Sequence, residues 1–211
     1  FNTVYTIIDG IFVSAYVGTN ALVAINIVYP IVNVLFGIAL AFAAGGSAVV
    51  ALHIGGGKKD AASRAFSASV IASMLVGGLV ALGVLLNLSG ILTLLGATPL
   101  TMQDCKIYAL WWLWGTPLMI GKELFPYFIR VDGSPTYSFA TALSGGVLNI
   151  VMDYVLVGRM QMGIRGAALA TIMGLALSTC MGIYYFLRKN KTFSFTLRGL
   201  SVKESLYCLV N

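Results

Sequence analysis

Three of the seven acidic residues lie inside long apolar stretches of the sequence: Asp9, Glu123 and Asp153. An ionisable side chain at the centre of a bilayer costs about 2.5–3.5 kcal/mol on insertion scales, and residues of this kind usually have a function. Lys122 directly precedes Glu123, so we expect these two side chains to compensate each other or to snorkel towards the interface. No basic residue lies within three positions of Asp9 or Asp153. These two carboxylates are therefore the leading candidates for ion binding.

Asn149 and Thr171 supply further oxygen atoms that are predicted to lie near Asp153. Asn149 precedes Asp153 by four residues, which places both on one face of a helix. Asp153 precedes Arg159 by six residues and Thr171 follows Arg165 by six, a depth of about 9 Å in each case. Carboxylate, amide and hydroxyl oxygens are hard ligands that suit Na⁺. The expected occupant is a proton, or Na⁺ held as a metal ion by Asp153, Asn149 and Thr171, and the residues do not decide between these ions. No other cofactor is expected.

Small and polar residues recur at helical spacing in four stripes. The stripes are Asn2, Thr6 and Asp9; Asn26, Pro30, Asn33 and Gly37; Thr141, Gly145, Asn149 and Asp153; and Thr171, Gly174 and Ser178. Such stripes are expected to face a bundle interior or a cavity. A packing role remains open, because small and amide-bearing residues let membrane helices approach closely, and for Asn26, Asn33 and Ser178 we favour it.

The composition is that of an integral membrane protein. Hydrophobic residues make up 59% of the chain and charged residues 9%, and the mean hydropathy is +0.92, outside the usage of soluble domains. Apolar stretches of about 20 residues recur without the two-residue alternation of barrel strands. We predict an all-α bundle of six transmembrane helices, a lobe over residues 1–187, with spans at 1–17, 21–52, 63–88, 104–129, 135–157 and 164–187. The first span is expected to be incomplete at its start.

The basic residues predict how the chain is oriented. Nine of the 13 lie on one side of the predicted spans, and loops rich in Lys and Arg stay in the cytoplasm. Residues 188–211 are too charged to cross the membrane and are predicted to form a basic cytoplasmic tail or a connector to a second lobe. The net charge of +6 is thus a topology signal and does not call for a nucleic-acid partner. The three cysteines have no paired spacing that would indicate a disulfide framework or a zinc site.

An aromatic cluster, "YALWWLWG" at residues 108–115, begins near the predicted outer boundary. Tryptophan and tyrosine are enriched at membrane interfaces, and such an interfacial belt is our first interpretation. The sharper alternative is that Trp111 and Trp114 line a pocket for flat organic cations. We therefore keep Trp111 and Trp114, with Asn26 and Asn33, as possible substrate-lining residues.

Other functional classes also use intramembrane carboxylates. A membrane-embedded aspartyl protease needs two of them, but "IDGI" and "MDYV" lack the Gly-x-Gly-Asp type of context. Nothing else in the sequence supplies a nucleophile, so we do not expect an enzyme. A flippase for lipid-linked substrates remains a possibility, although few basic residues are predicted inside the membrane to form its cationic cavity. A fragment that only associates with other membrane proteins is the third alternative.

Four stretches resemble the first half of a multidrug and toxic compound extrusion (MATE) transporter, in family order. They are "DGIFVSAYVGTNALVAINIVYPI", "GGSAVVALHIGGGKKDAASRAF", "FIRVDGSPTYSFATALSGGVLNIVMDYVLV" and "GIRGAALATIMG". The pattern Arg-x-Asp-Gly-x-Pro followed by Asn-x-x-x-Asp is the most specific of these features, and the matches extend over nearly all of residues 5–180.

The resemblance implies a cation-coupled antiporter, driven by H⁺ or Na⁺, that exports organic and often cationic drugs or toxic compounds. It assigns Asp9 as the first-helix coupling carboxylate, Asn149 and Asp153 as the fifth-helix pair, and Thr171 as a sixth-helix oxygen donor. Members of the family have twelve helices in two lobes, so the six predicted spans would be the amino-terminal lobe. The implied partners are small organic cations, the lipid bilayer and a carboxy-terminal lobe, in the inner (plasma) membrane of a bacterium.

Overall fold

The computed structural model describes residues 16–188 and 192–196, and these contain helices and no strand. Seven α-helices and one π-helical segment occur in this part of the chain: α1 (Thr19–Gly55), α2 (Lys59–Leu86), α3 (Leu88–Leu94), α4 (Met102–Trp114), α5 (Thr116–Val131), α6 (Pro135–Met152), the π segment (Asp153–Arg159) and α7 (Gly163–Leu187). Four stretches are long and apolar enough to cross a bilayer: Asn20–Gly55, Lys59–Leu86, Pro135–Arg159 and Gly163–Leu187. The prediction of an all-α membrane bundle is confirmed at this level.

The predicted count of six helices is not confirmed. The first predicted span, 1–17, lies outside the described residues apart from its last two positions. The predicted span at 104–129 is divided into α4 and α5 at Gly115, and neither part alone is long enough to cross. A Cβ at Gly115 would crowd the end of the Ile172 side chain of α7 and lie 2.9 Å from the backbone oxygen of Trp111, so glycine favours the close approach here. Pro117 fits the first turn of α5, where a backbone N–H has no intrahelical partner.

Helix α1 supplies much of the core, and its other face carries the polar stripe. Its buried residues recur every three to four positions and include Ala24, Val28, Leu35 and Ala39. The stripe of Asn26, Pro30, Asn33 and Gly37 is exposed in the described lobe. Within the described residues the stripe therefore does not lie in the interior, because the apolar face of α1 fills the core. The alternative that it faces a cavity stays a prediction.

The turns between α1 and α2 and between α5 and α6 lie at one end of the lobe, here called the basic end because Lys58, Lys59 and Arg130 lie there. Residues 192–196 pack against this end. Phe193 is 2% exposed and its ring contacts those of Phe66 and Phe186, with centroids 5.3 and 5.6 Å away. The start of the predicted tail or connector is thus docked on the lobe at these five residues.

Candidate ion site

The helices α6 and α7 approach each other closely through glycine. A methyl group on Gly174 would lie 2.6 Å from the carbonyl oxygen of Gly145 and 3.0 Å from Cβ of Asn149. Ser178 Oγ donates a hydrogen bond of 2.8 Å to the backbone oxygen of Thr141, which joins the two helices one turn nearer the basic end. This contact gives Ser178 the packing role that the sequence favoured.

Both predicted stripes on these helices are buried, as expected. The buried residues are Thr141, Gly145, Asn149, Asp153, Thr171, Gly174 and Ser178. Asp153 has no exposed surface and Asn149 is 3% exposed. Thr171 Oγ1 donates a hydrogen bond of 3.0 Å to the backbone oxygen of Ala167, so its lone pairs remain available to a ligand. The two stripes therefore bring carboxylate, amide and hydroxyl oxygens into the interior of the lobe.

The side-chain amide of Asn149 is buried beside the close contact of α6 and α7, and its hydrogen-bonding capacity is unused within the described residues. Neither its amide nitrogen nor its amide oxygen has a hydrogen-bond partner among the described residues. A buried polar group without a partner costs about 1–3 kcal/mol, so native proteins rarely leave both atoms of a buried amide unsatisfied. The side chain of Asn149 is therefore expected to meet a water molecule, an ion or a residue outside the described ranges.

A small cavity of about 20 Å³ adjoins this amide. Its lining includes Asn149, Thr171, Ser178, Lys122 and the glycines of the close contact. A volume above about 10–15 Å³ is enough for one water molecule, provided that polar groups line the space. Asp153 lies four residues, or about 6 Å, further along from Asn149. The arrangement offers room for one water molecule or one small ion beside Asn149 and Thr171.

Lys122 and Glu123 pair as expected, but they do not snorkel to the interface. Nζ of Lys122 donates to Oε1 of Glu123, and the two residues are 9% and 7% exposed. The ammonium also lies 5.9 Å from the centre of the Phe36 ring of α1, within the range of a cation–π contact. Sequence reasoning placed the pair on α5 but missed that Lys122 reaches the cavity, because its rotational position depends on how α5 packs against α6 and α7.

The π segment is a second feature that the sequence did not predict. It begins at Asp153, and the backbone N–H of Met160 bonds to the oxygen of Val155 at 2.8 Å, the i to i−5 pattern of a π-helix. Segments of this kind often occur at functional sites, because the extra residue in the turn re-aims the side chains beside it. The carboxylate of Asp153 therefore lies where the regular α-helix ends.

The other predicted site residues are Asp9 and the four possible substrate-lining residues. Asp9 is outside the described residues, so its place in the site stays a prediction. Asn26, Asn33 and Trp114 are exposed on the described lobe, Trp111 is 36% exposed, and none of the four lines the cavity. Within residues 16–188 and 192–196, no group of three His, Cys, Asp or Glu side chains comes together. Any metal ion here would be held by mixed carboxylate, amide and hydroxyl oxygens.

Comparisons with known proteins agree on one family. The family model MatE matches residues 1–155. Multidrug export protein MepA of Staphylococcus haemolyticus is 27% identical over 197 residues, which is 93% of this chain and 44% of that protein. The chain therefore spans less than half the length of this curated relative.

Solved structures give the same result for the fold. An inward-facing structure of a multidrug resistance MATE family transporter of the MOP superfamily superposes with a TM-score of 0.90 at 24% identity, covering 99% of this chain and 48% of that one. An outward-facing structure gives 0.88 at 25% identity, covering 99% and 46%. The lobe therefore superposes about equally well on both conformations.

Proposed function

Because this chain belongs to the MATE family, whose members are multi-pass membrane transporters, we propose that it is the amino-terminal lobe of a cation-coupled antiporter that exports organic compounds. A relative named for multidrug export supports the substrate class of organic, often cationic, drugs or toxic compounds. The matched length, under half of that relative, supports a second lobe as the missing partner. Its bacterial source supports the inner membrane of a bacterium as the location.

The unsatisfied amide of Asn149 is the observation that carries the coupling proposal. It adjoins a cavity with room for one water molecule or small ion, and Thr171 lines the same cavity. Asp153, fully buried one turn away, provides the carboxylate that takes up H⁺ or Na⁺. Asp9 is proposed to provide the second carboxylate. An ion bound at this place would neutralise a carboxylate that is costly to bury in its charged form.

The exposed stripe on α1 is proposed to line the drug pathway. Lipid-facing positions disfavour polar groups that have no partner, so Asn26 and Asn33 are more favourably placed against a polar cleft than against lipid. A second lobe on this face would enclose such a cleft, and Trp111 and Trp114 would add aromatic surface for organic cations. The stripe would then contact substrate while the ion binds inside the lobe.

Antiport requires that the ion favour one state of the transporter over the other. A ligand shifts a conformational equilibrium only as far as its affinities for the two states differ. The site lies where α6 becomes the π segment, beside the close contact with α7. Movement of these segments would change the oxygen atoms around Asn149 and Asp153, and hence the affinity for the ion.

The test is reconstituted efflux from the complete reading frame that contains this chain. Purified transporter in proteoliposomes is given a pH gradient or a Na⁺ gradient, and export of a fluorescent organic cation is followed. We expect Asp153→Asn to abolish the response to the coupling gradient. Asp60→Asn is the matched control, because it makes the same chemical change at an exposed position at the basic end. Gradient-driven efflux that survives Asp153→Asn would contradict the proposal.

A further inference from the structure

The Lys122–Glu123 pair is buried in the lobe interior without an evident structural need. Both residues are less than 10% exposed, and they lie in α5 between Gly121, which packs on Thr179 of α7, and Leu124 in the core. A buried ion pair is often less favourable than apolar residues of the same volume, so its presence is weak evidence for a role in stability. Ionisable residues at this depth are more often functional.

We propose that Lys122 is a resident cation at the cavity, and that it makes the ion accepted by this lobe a proton rather than Na⁺. The inference rests on the proposed function, because it names the coupling ion of that site. Lys122 lines the same small cavity as Asn149 and Thr171, the two groups that would supply neutral oxygen ligands to Na⁺. A sodium ion bound there would have a lysine side chain as its immediate neighbour.

The surroundings of Lys122 hold its ammonium in place. Glu123 accepts its hydrogen bond, and the ring of Phe36 lies 5.9 Å away on α1. In the described parts of α2, α6 and α7, no further acidic or basic residue lies at this depth, and the α6 and α7 residues in the cavity lining are neutral. Among the described residues, Asp153 is the other charged group of the site, one turn beyond Asn149, and Asp9 is proposed to join it. Lys122 is therefore the one cationic side chain that residues 16–188 and 192–196 contribute to the lining of this cavity.

Electrostatic repulsion decides between the two ions. Two like unit charges about 6 Å apart, in an effective dielectric of about 20, repel strongly enough to weaken binding on the order of 100-fold. Glu123 offsets part of this repulsion, so we expect at least a tenfold effect on Na⁺. A proton on Asp153 adds the same positive charge, but Asp153 lies one turn beyond Asn149 and does not line the cavity, so repulsion by Lys122 acts over a longer distance and is weaker. A water molecule suits the cavity, since it accepts from the Asn149 amide nitrogen and donates to the amide oxygen.

The test compares Na⁺ binding by the wild-type transporter and by the double variant Lys122→Gln/Glu123→Gln, which removes both charges and keeps the approximate volume. Thermal unfolding in detergent is measured in NaCl and in choline chloride at equal ionic strength and at several pH values. We expect the wild type to be indifferent to Na⁺ and the double variant to be stabilised by it, with an apparent affinity at least tenfold higher. The exposed pair Lys59→Gln/Asp60→Asn is the matched control and should behave like the wild type.

Two further measurements separate the possible failures. Lys122→Arg keeps the positive charge, and its thermal unfolding is expected to stay indifferent to Na⁺. If Lys122 had only a structural role, the response to Na⁺ would not depend on whether the replacing side chain is charged. Wild-type efflux driven by a Na⁺ gradient, or a double variant as indifferent to Na⁺ as the wild type, would overturn the inference. If Asp153→Asn still removes the response to the gradient in that case, the proposed function stands and only the choice of ion is wrong.

Discussion

Gly174→Ala tests whether the close contact of α6 and α7 builds the ion site. The added methyl group would lie 2.6 Å from the carbonyl oxygen of Gly145 and 3.0 Å from Cβ of Asn149, whereas ordinary contacts begin at 3.4 Å. The obstacles are a backbone atom and a Cβ atom, neither of which moves by a rotamer change. The two helices must therefore separate by roughly 0.8 Å at this level. Overpacking of this kind typically costs about 1–3 kcal/mol.

The same separation displaces Asn149 relative to Thr171 on the facing helix. We expect the affinity for the coupling ion to fall at least tenfold, which corresponds to about 1.4 kcal/mol. Ion affinity is measured from the dependence of thermal unfolding on pH and on Na⁺ concentration, and efflux is measured in proteoliposomes. Gly78→Ala is the control, since a methyl group on Gly78 of α2 meets no atom within 4 Å. The reasoning is refuted if Gly174→Ala and Gly78→Ala have equal stability and equal ion affinity.

Two predictions concern the docked segment at the basic end. Phe193→Ala is expected to lower the free energy of unfolding by about 3 kcal/mol, because the ring is 2% exposed among other aromatic rings. Phe195 is 50% exposed, so Phe195→Ala should lower the free energy of unfolding by well under half as much in the same assay. The carboxylate of Asp132 accepts hydrogen bonds from the Tyr185 hydroxyl at 2.7 Å and from the Thr192 backbone N–H at 2.9 Å. Because an amide has only one acceptor oxygen, Asp132→Asn is expected to lower the free energy of unfolding by about 1–3 kcal/mol. If Phe193→Ala or Asp132→Asn were as stable as the wild type, the docking of residues 192–196 on the lobe would be contradicted.

The sequence predicted the α6 and α7 stripes because helical periodicity alone determines which residues share a face. Thr141, Gly145 and Asn149 recur every four residues, and all three are buried. Four long helices were equally predictable, since apolar length is a property of the chain itself. These features need no knowledge of neighbouring elements.

Periodicity left two positions open for the stripe on α1, the interior of the bundle or a cavity. Periodicity shows that Asn26, Pro30 and Asn33 share a face, but it does not show which of several partners covers that face. In the described lobe the apolar face of α1 takes the core position, and the polar stripe stays outside. A helix face that lines a cleft between two lobes and one that faces the interior of a single lobe show the same polar periodicity in the sequence of α1.

Three features of the structure were not predicted from the sequence. The break at Gly115 lies where the side chain of Ile172, 57 residues away in the chain, approaches the backbone. The π segment after Met152 departs from the i to i−4 bonding on which the helical periodicity argument rests. The reach of Lys122 to the cavity depends on the rotation of α5 against α6 and α7.

Ion release on drug binding tests the central claim most directly. A fluorescent organic cation is added to the detergent-solubilised transporter in weakly buffered solution, and a pH indicator reports protons released. We expect the wild type to release protons as the cation binds, and Asp153→Asn to bind the cation without this release. Drug binding that releases neither protons nor Na⁺ from the wild type, or an equal release from Asp153→Asn, would contradict the assignment of Asp153 to the coupling site.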